Sequence, residues 1–169
     1  MPQTAKSTWP DRKELVHAVR TAVAATASLL IGHFLRLPES YWSVIATLIV
    51  MQSTLGAAWT ISKERMLGTV LGAAAGALLA TIVGQSAPFA LTAAVFGAGV
   101  LVLGVLCALL HIERGSYRYA GITLVIVMLI ARSRPAWIIA IHRAVEISIG
   151  IAIGLVVTAL WPEARTQEA

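Results

Sequence analysis

The sequence contains few charged residues. Asp, Glu, Lys and Arg together make up 12% of the 169 residues, about half of the roughly 25% that is usual in soluble domains. Hydrophobic residues make up 58%, and the mean hydropathy is +0.82. A soluble domain of this size leaves about 30% of its chain surface in contact with water, and so few charges cannot make that surface polar. The composition therefore predicts an integral membrane protein whose surface faces the lipid bilayer.

The sequence also has little of what enzymes and nucleic-acid-binding proteins use. Cys107 is the single cysteine, which excludes an intrachain disulfide and a cysteine-based zinc site. No HExxH, GxSxG or Walker sequence occurs, so we expect neither an enzyme nor a cofactor, and no ATP-driven transport by this chain alone. The net charge of +5 is explained by the positive-inside rule of membrane proteins and does not indicate nucleic acid.

Apolar runs divide the chain into six predicted membrane spans, judged against the 20 or so residues that a spanning helix needs. The runs cover residues 15–35, 41–59, 66–83, 89–110, 117–130 and 136–161. Polar breaks separate them at Pro38 and at 62–65, 84–88, 111–118 and 132–135. The first run is too long for the apolar part of a signal peptide. The predicted fold class is an all-α membrane protein with six transmembrane helices, flanked by a segment at 1–14 and a tail at 162–169.

Lys and Arg outside these spans are unevenly divided between the two membrane faces. Eight lie on the face of both termini, namely Lys6, Arg12, Lys13, Lys63, Arg65, Arg114, Arg118 and Arg165. Three lie on the other face, namely Arg36, Arg132 and Arg134. Because the face richer in Lys and Arg is the cytoplasmic one, we predict that both termini are cytoplasmic.

The sequence matches itself at an offset of 78 residues. Ten identities occur over 44 aligned positions without a gap, pairing residues 33, 36, 41, 58, 59, 61, 65, 72, 74 and 76 with 111, 114, 119, 136, 137, 139, 143, 150, 152 and 154. Each unit, at about 15–83 and 89–161, contains three predicted spans, so the two copies insert with opposite topology. Such inverted repeats hold substrate near the midplane, at interrupted segments in matching places. Here those segments are 53–59 and 131–137.

Two arginines paired by this offset, Arg65 and Arg143, are the main candidates for binding an anionic substrate. Arg143 lies about 10 Å inside its span, where a lone charge costs at least about 2.5 to 3.5 kcal/mol. One alternative is an ion pair with Glu146, three residues further on, which is also the one candidate for coupling. Arg65, at the membrane edge, has snorkelling into water as its alternative, and Arg20 is interpreted as snorkelling. His142 and Glu146 lack a third ligand, so no metal is predicted.

Four further side chains complete the predicted substrate site: Tyr41, Trp42, Gln52 and Trp59. Tyr and Trp at the start of a span also serve as interfacial anchors, and a buried Gln often bonds a neighbouring helix. Glycines at four-residue spacing line two spans and predict close helix packing or dimerisation. They are Gly68, Gly72 and Gly76 in the third span and Gly150 and Gly154 in the sixth.

Residues 41–80 resemble the signature region of the fusaric acid resistance family, also called the aromatic acid exporters. The resemblance is carried by Tyr41-Trp42, Gln52, Gly56, and Arg65 followed by LGTVLG at 67–72, and it extends over 15–161. It implies a bacterial inner-membrane exporter of aromatic carboxylates or related organic anions; such exporters often work with a periplasmic adaptor. Plant malate channels resemble the same membrane domain, so a passive anion channel at a dimer interface is the alternative.

Many members of that family are longer than this chain, with a cytoplasmic domain or a second membrane half. We therefore expect two copies to assemble as a homodimer, because one six-helix unit is too small to enclose a pathway for an aromatic acid. The resemblance also implies proton coupling, for which Glu146 is the candidate. A third interpretation is an accessory membrane protein that transports nothing itself.

Overall fold

The computed structural model describes residues 11–52, 54–84, 86–130 and 135–162. Within these ranges the chain forms six α-helices: α1 (Arg12–Phe34), α2 (Tyr41–Val50), α3 (Leu55–Val83), α4 (Phe89–Leu109), α5 (Arg114–Val125) and α6 (Ala136–Leu160). A π-helical segment, Ile126–Ile130, continues α5. Residues 131–134, which begin the second predicted interruption and include Arg132 and Arg134, lie outside the described residues, as do Lys6 and Arg165.

Four of the helices are long and apolar enough to cross a membrane: α1, α3, α4 and α6. α2 has 10 residues and is about 15 Å long, half the thickness of a bilayer's hydrocarbon core. α5 has 12 residues before its π-helical continuation of 5. In the described ranges the regular structure is therefore helical, with four candidate spans where the sequence predicted six.

The second span differs most from its prediction. A single helix was expected over 41–59 and a polar break at 62–65. Instead, α2 ends at Val50, Met51 is extended (φ −61, ψ 108), and Thr54 caps α3 by accepting a hydrogen bond from the Ala57 N–H. Residues 62–65 lie inside α3, because Lys, Glu and Arg are good helix formers and charge alone does not end a helix. Ser and Thr favour the N-cap position, which explains the break near Thr54.

The short helices pack on the long ones where glycine lets two backbones approach. A Cβ at Gly150 of α6 would overlap the Ser43 carbonyl oxygen of α2, and one at Gly154 would press on Val50. Because the residue numbers rise along both helices from the first contact to the second, α2 and α6 run parallel. Gly72 and Gly76 of α3 lie in the same way against Ala120 and Val127, on α5 and its continuation.

The two longest helices cross antiparallel and form the centre of the fold. Ile151 of α6 belongs to one core cluster with Ala58 of α3, and the Ser148 hydroxyl lies 3.8 Å from the Met66 sulfur. As the α3 numbers rise, the α6 numbers fall, which fixes the relative direction. α1 packs on α2 and α6, while α4 packs on α3 and α5.

α1 and α4 end in the same kind of turn. The residues at the turn, Arg36 and His111, have φ of 52° and 53°, in the left-handed region typical of helix C-termini. The N–H of Leu37 donates to Gly32 O at 3.0 Å, and that of Ile112 donates to Cys107 O at 2.8 Å. His111 therefore occupies the position of Arg36, whereas the ungapped sequence match paired Arg36 with Arg114.

Candidate functional site

The guanidinium of Arg143 is the centre of a buried polar cluster. Arg143, eighth in α6, is 2% exposed, and its Nη1 donates to Glu146 Oε2 at 3.0 Å. Its Nη2 forms an ion pair with Oε2 of Glu39, in the turn before α2. The Trp42 ring lies under the guanidinium, 4.5 Å from Cζ to ring centroid. We call Glu39, Tyr41, Trp42, Arg143 and Glu146 the Arg143 cluster.

Three donors converge on a single oxygen of Glu39. Besides Arg143, the Tyr41 hydroxyl donates to Glu39 Oε2 at 2.9 Å and Trp42 Nε1 donates at 3.1 Å. Charge-assisted hydrogen bonds of this kind are the strong ones in proteins. The arrangement is thus a built site for a carboxylate, which the chain fills with its own Glu39. We call Tyr41, Trp42 and Arg143 the carboxylate site.

The two carboxylates of the cluster differ in exposure. The Glu39 side chain is 38% exposed and that of Glu146 is 1% exposed. Glu146 Oε1 also accepts a hydrogen bond from the backbone N–H of Glu39 at 3.2 Å, which ties the turn to α6. Two carboxylates share one guanidinium, so the cluster carries a net charge of −1 when both are ionised, and one proton makes it neutral.

Glu39 was missed by the sequence analysis, which treated it as part of a polar break. The ion pair of Arg143 with Glu146, three residues apart, was among the stated alternatives. The contact with Glu39 joins residues more than 100 positions apart and has no local pattern. The available signal was the position of Glu39, two residues before the Tyr41-Trp42 pair.

Arg65 lies in a different environment, beside the start of α5. It is 4% exposed, and its Cζ is 5.1 Å from the centroid of the Tyr119 ring. Within the described part of the chain, no carboxylate forms an ion pair with it; Glu64, its neighbour, has its carboxylate against Gly115. The structure therefore does not bring Arg65 and Arg143 to one site, and it leaves Arg65 with an aromatic partner alone among the groups described.

Gln52, Trp59 and Arg20 lie away from the carboxylate site. Gln52 follows the opposite end of α2, and its Nε2 donates to Ile49 O within its own segment at 3.2 Å rather than to another helix. Trp59 is 55% exposed in α3. The interpretation of Arg20 as snorkelling is wrong: it is fully buried and donates to the main-chain oxygens of Gln52 and, at 2.8 Å, Trp161.

The chain was compared with known proteins. Residues 24–157 match the sequence profile of the family described as fusaric acid resistance protein-like. The chain is 28% identical over 156 residues to "Inner membrane protein YeeA" of Escherichia coli K12, covering 88% of this chain and 41% of that protein. It is 27% identical over 160 residues to "Uncharacterized transporter YdhK" of the same strain, covering 90% of this chain and 23% of that protein. The chain thus spans less than half the length of these relatives. No solved structure matches it.

Proposed function

Because the chain belongs to the fusaric acid resistance protein-like family, we propose that it is a membrane transporter unit that exports small organic anions, with aromatic carboxylates as the preferred class. Two relatives are named an inner membrane protein and an uncharacterized transporter, which supports membrane transport. The class of aromatic carboxylates is what the family resemblance implies, and residues of this chain support an anionic substrate. The observation that carries it is the pair of buried arginines, each lying over an aromatic ring of a short helix.

We propose further that these two environments are halves of an inverted repeat. Arg143 over Trp42 corresponds to Arg65 over Tyr119, just as Gly150 against Ser43 corresponds to Gly72 against Ala120. This correspondence supports the repeat independently of sequence identity, because Trp42 and Tyr119 were not paired by the ungapped match.

The offset between the halves also changes in a physically reasonable way. It is 78 between Arg65 and Arg143 but 77 between Trp42 and Tyr119. The additional residue falls beyond Val127, which still has an offset of 77 from Val50, and the π-helical segment Ile126–Ile130 lies there. Since a π-helical turn takes one residue more than an α-helical turn, we propose that the additional residue lies in this segment.

The anion binds best where no carboxylate already neutralises the cation. In the Arg143 cluster both Glu39 and Glu146 pair with the guanidinium. The residues that correspond to them in the other half are Ser116 and Gly68, neither of which carries charge. We therefore propose Arg65, with Tyr119, as the first position to bind a substrate anion, and Arg143, Tyr41 and Trp42 as the second. Gln52 and Trp59 are not included, because they lie away from both.

Coupling to protons is proposed for the two carboxylates of the Arg143 cluster. Two carboxylates that share one guanidinium repel each other, and this repulsion favours the binding of one proton. Glu146 was the candidate from the sequence. We add Glu39, because a proton bound to two interacting carboxylates belongs to the pair rather than to either residue. If coupling uses this pair, replacing both carboxylates with Gln leaves downhill flux but abolishes uphill transport; uphill transport that persists in the double variant contradicts it.

A homodimer in the bacterial inner membrane, with both termini cytoplasmic, completes the proposal, and a periplasmic adaptor is a further partner. Many large apolar side chains are exposed on the described surface, which supports contact with lipid and with a second copy. Native mass spectrometry in a mild detergent that detects only the monomer would contradict the dimer.

Transport by purified protein in lipid vesicles tests the function. With radiolabelled benzoate as the probe, accumulation under an imposed proton gradient that exceeds the passive accumulation in protein-free vesicles supports the exporter. Benzoate current without accumulation supports the alternative of a passive channel, and no flux supports the accessory protein.

The site is tested in the same vesicles. We expect Arg65→Gln to abolish benzoate flux per folded molecule and Arg65→Lys to weaken it about tenfold, or about 1.4 kcal/mol, because an ammonium lacks the planar fork that matches a carboxylate. The exposed Arg118→Gln is the matched control. Normal flux in Arg65→Gln refutes the assignment of Arg65.

A further inference from the structure

We propose that Glu39 is an internal ligand of the carboxylate site, and that a transported organic carboxylate binds to Tyr41, Trp42 and Arg143 by displacing it. The proposal rests on the proposed function, because it takes the transported anion as the competitor. It adds a gating role for a side chain that neither the sequence nor the family comparison singles out.

The Glu39 carboxylate has more donors than a single structural ion pair would supply. Three donors from three side chains meet at one oxygen, Glu39 Oε2. A structural pair between Arg143 and Glu146 already exists beside it. An incoming carboxylate would find the same three donors and the face of the Trp42 indole, which suits an aromatic acid.

Glu39 is also the carboxylate that is free to leave. Its side chain is 38% exposed, whereas Arg143 and Glu146 have side chains only 3% and 1% exposed. Its backbone stays fixed during the exchange, because its N–H donates to Glu146 and its carbonyl oxygen accepts from the Trp42 N–H at 3.0 Å. A change of side-chain rotamer is therefore sufficient, and no helix has to move.

The departure of Glu39 does not leave a bare charge. Arg143 keeps its 3.0 Å bond to Glu146, so a neutral pair remains when the site is empty. The released carboxylate reaches water from the turn. Both facts keep the free-energy cost of moving the Glu39 carboxylate out of the carboxylate site low, as displacement by another carboxylate requires.

The other half of the chain indicates that the architecture does not need this glutamate. At the offset of 77 that relates Trp42 to Tyr119, Ser116 corresponds to Glu39. The same packing of a short helix on a long one is built there around Gly68 and Gly72. A Glu39→Ser variant thus places at position 39 the same residue type that the other half has at the corresponding position, Ser116.

Binding of benzoate to the purified full chain in detergent, followed by isothermal titration calorimetry, tests the proposal. A competitor that occupies the site for 90% of the time lowers the apparent affinity about tenfold. We therefore expect Glu39→Gln and Glu39→Ser to bind benzoate about tenfold more tightly than the unchanged protein. Glu113→Gln, which alters the exposed glutamate in the turn before α5, is the matched control and should leave the affinity unchanged.

Two results overturn the proposal and are distinct from failure of the proposed function. If Arg143→Gln loses one benzoate site while the Glu39 variants bind no more tightly, the site binds carboxylates but Glu39 does not compete. If Arg143→Gln binds benzoate as the unchanged protein does, the carboxylate site is not an anion site at all. In either case the flux of benzoate through vesicles, and its dependence on Arg65, remains a separate test of transport. Melting temperatures of all variants establish that each is folded.

Discussion

Removing the guanidinium of Arg143 gives the sharpest test of the buried charges. Arg143→Gln takes away the single cation that pairs with both Glu39 and Glu146 and leaves a shorter, neutral polar side chain. Glu146, with a side chain 1% exposed, is left as a buried carboxylate without a counterion. We expect the variant to be strongly destabilised.

The size of the expected destabilisation depends on the hydrogen bond that Glu146 keeps in the variant. Removing one partner of a buried ion pair costs about 3 to 5 kcal/mol. Glu146 retains the hydrogen bond from the Glu39 N–H, and the more exposed Glu39 turns to water, so the lower end applies. A loss of about 3 kcal/mol corresponds to a melting temperature lowered by about 6 to 12 °C in a chain of this size.

The assay is thermal melting in detergent followed by circular dichroism, with Arg118→Gln as the control for loss of an exposed arginine. The double variant Arg143→Gln/Glu146→Gln removes the orphaned charge, and we expect it to recover most of the stability. Acidic buffer should have the same effect on the single variant, because protonation neutralises both carboxylates. A single variant that melts within 2 °C of the control, or a double variant no more stable than the single one, refutes this account of the cluster.

Two further predictions concern packing and topology. Gly150→Ala should lower the yield of folded protein sharply, since its methyl group would overlap the backbone of α2. Gly97→Ala, with nothing within 4 Å of the added methyl group, should not lower it. Equal yields of the two variants, measured by fluorescent size-exclusion chromatography, contradict the close packing. Single cysteines at Glu14 and Ser86 in a Cys107→Ser background should react with an impermeant maleimide from opposite sides of the membrane, and labelling of both from one side shows that α2 does not carry the chain across.

The sequence predicted the class of protein and its family well, because both depend on signals that are local or summed over the chain. The apolar runs place α1, α3, α4 and α6, and the placement of Tyr41-Trp42, Gln52 and Arg65 leads to the family that the comparison confirms. Hydropathy failed at residues 51–65. There α2 ends among apolar residues, and α3 continues through the charged residues at 62–65. Capping by Thr54 and helix propensity, rather than hydropathy, decide these boundaries.

The candidate site was predicted only in part, for the same physical reason. Tyr41, Trp42 and Arg143 were chosen singly, as residues that are unusual in a membrane span, and the structure brings them together around Glu39. That glutamate looked like an ordinary loop residue because its partner is on the last helix. Arg65 was expected at a shared site, yet the parallel packing of α5 on α3 gives it a separate partner, Tyr119.

Arg20 carries a consequence for how charge in membrane spans is scored. The last carbonyl groups of a helix have no intrahelical donor, and a backbone oxygen that is shielded from water and left unsatisfied is costly. Arg20 is fully buried and donates to two main-chain oxygens just beyond helix ends, those of Gln52 after α2 and Trp161 after α6. A hydropathy scale counts this arginine as an obstacle to insertion. In the folded protein, Arg20 supplies the hydrogen bonds that water would otherwise donate to these two oxygens. An apolar replacement, although more compatible with lipid on such a scale, would remove both of these hydrogen bonds.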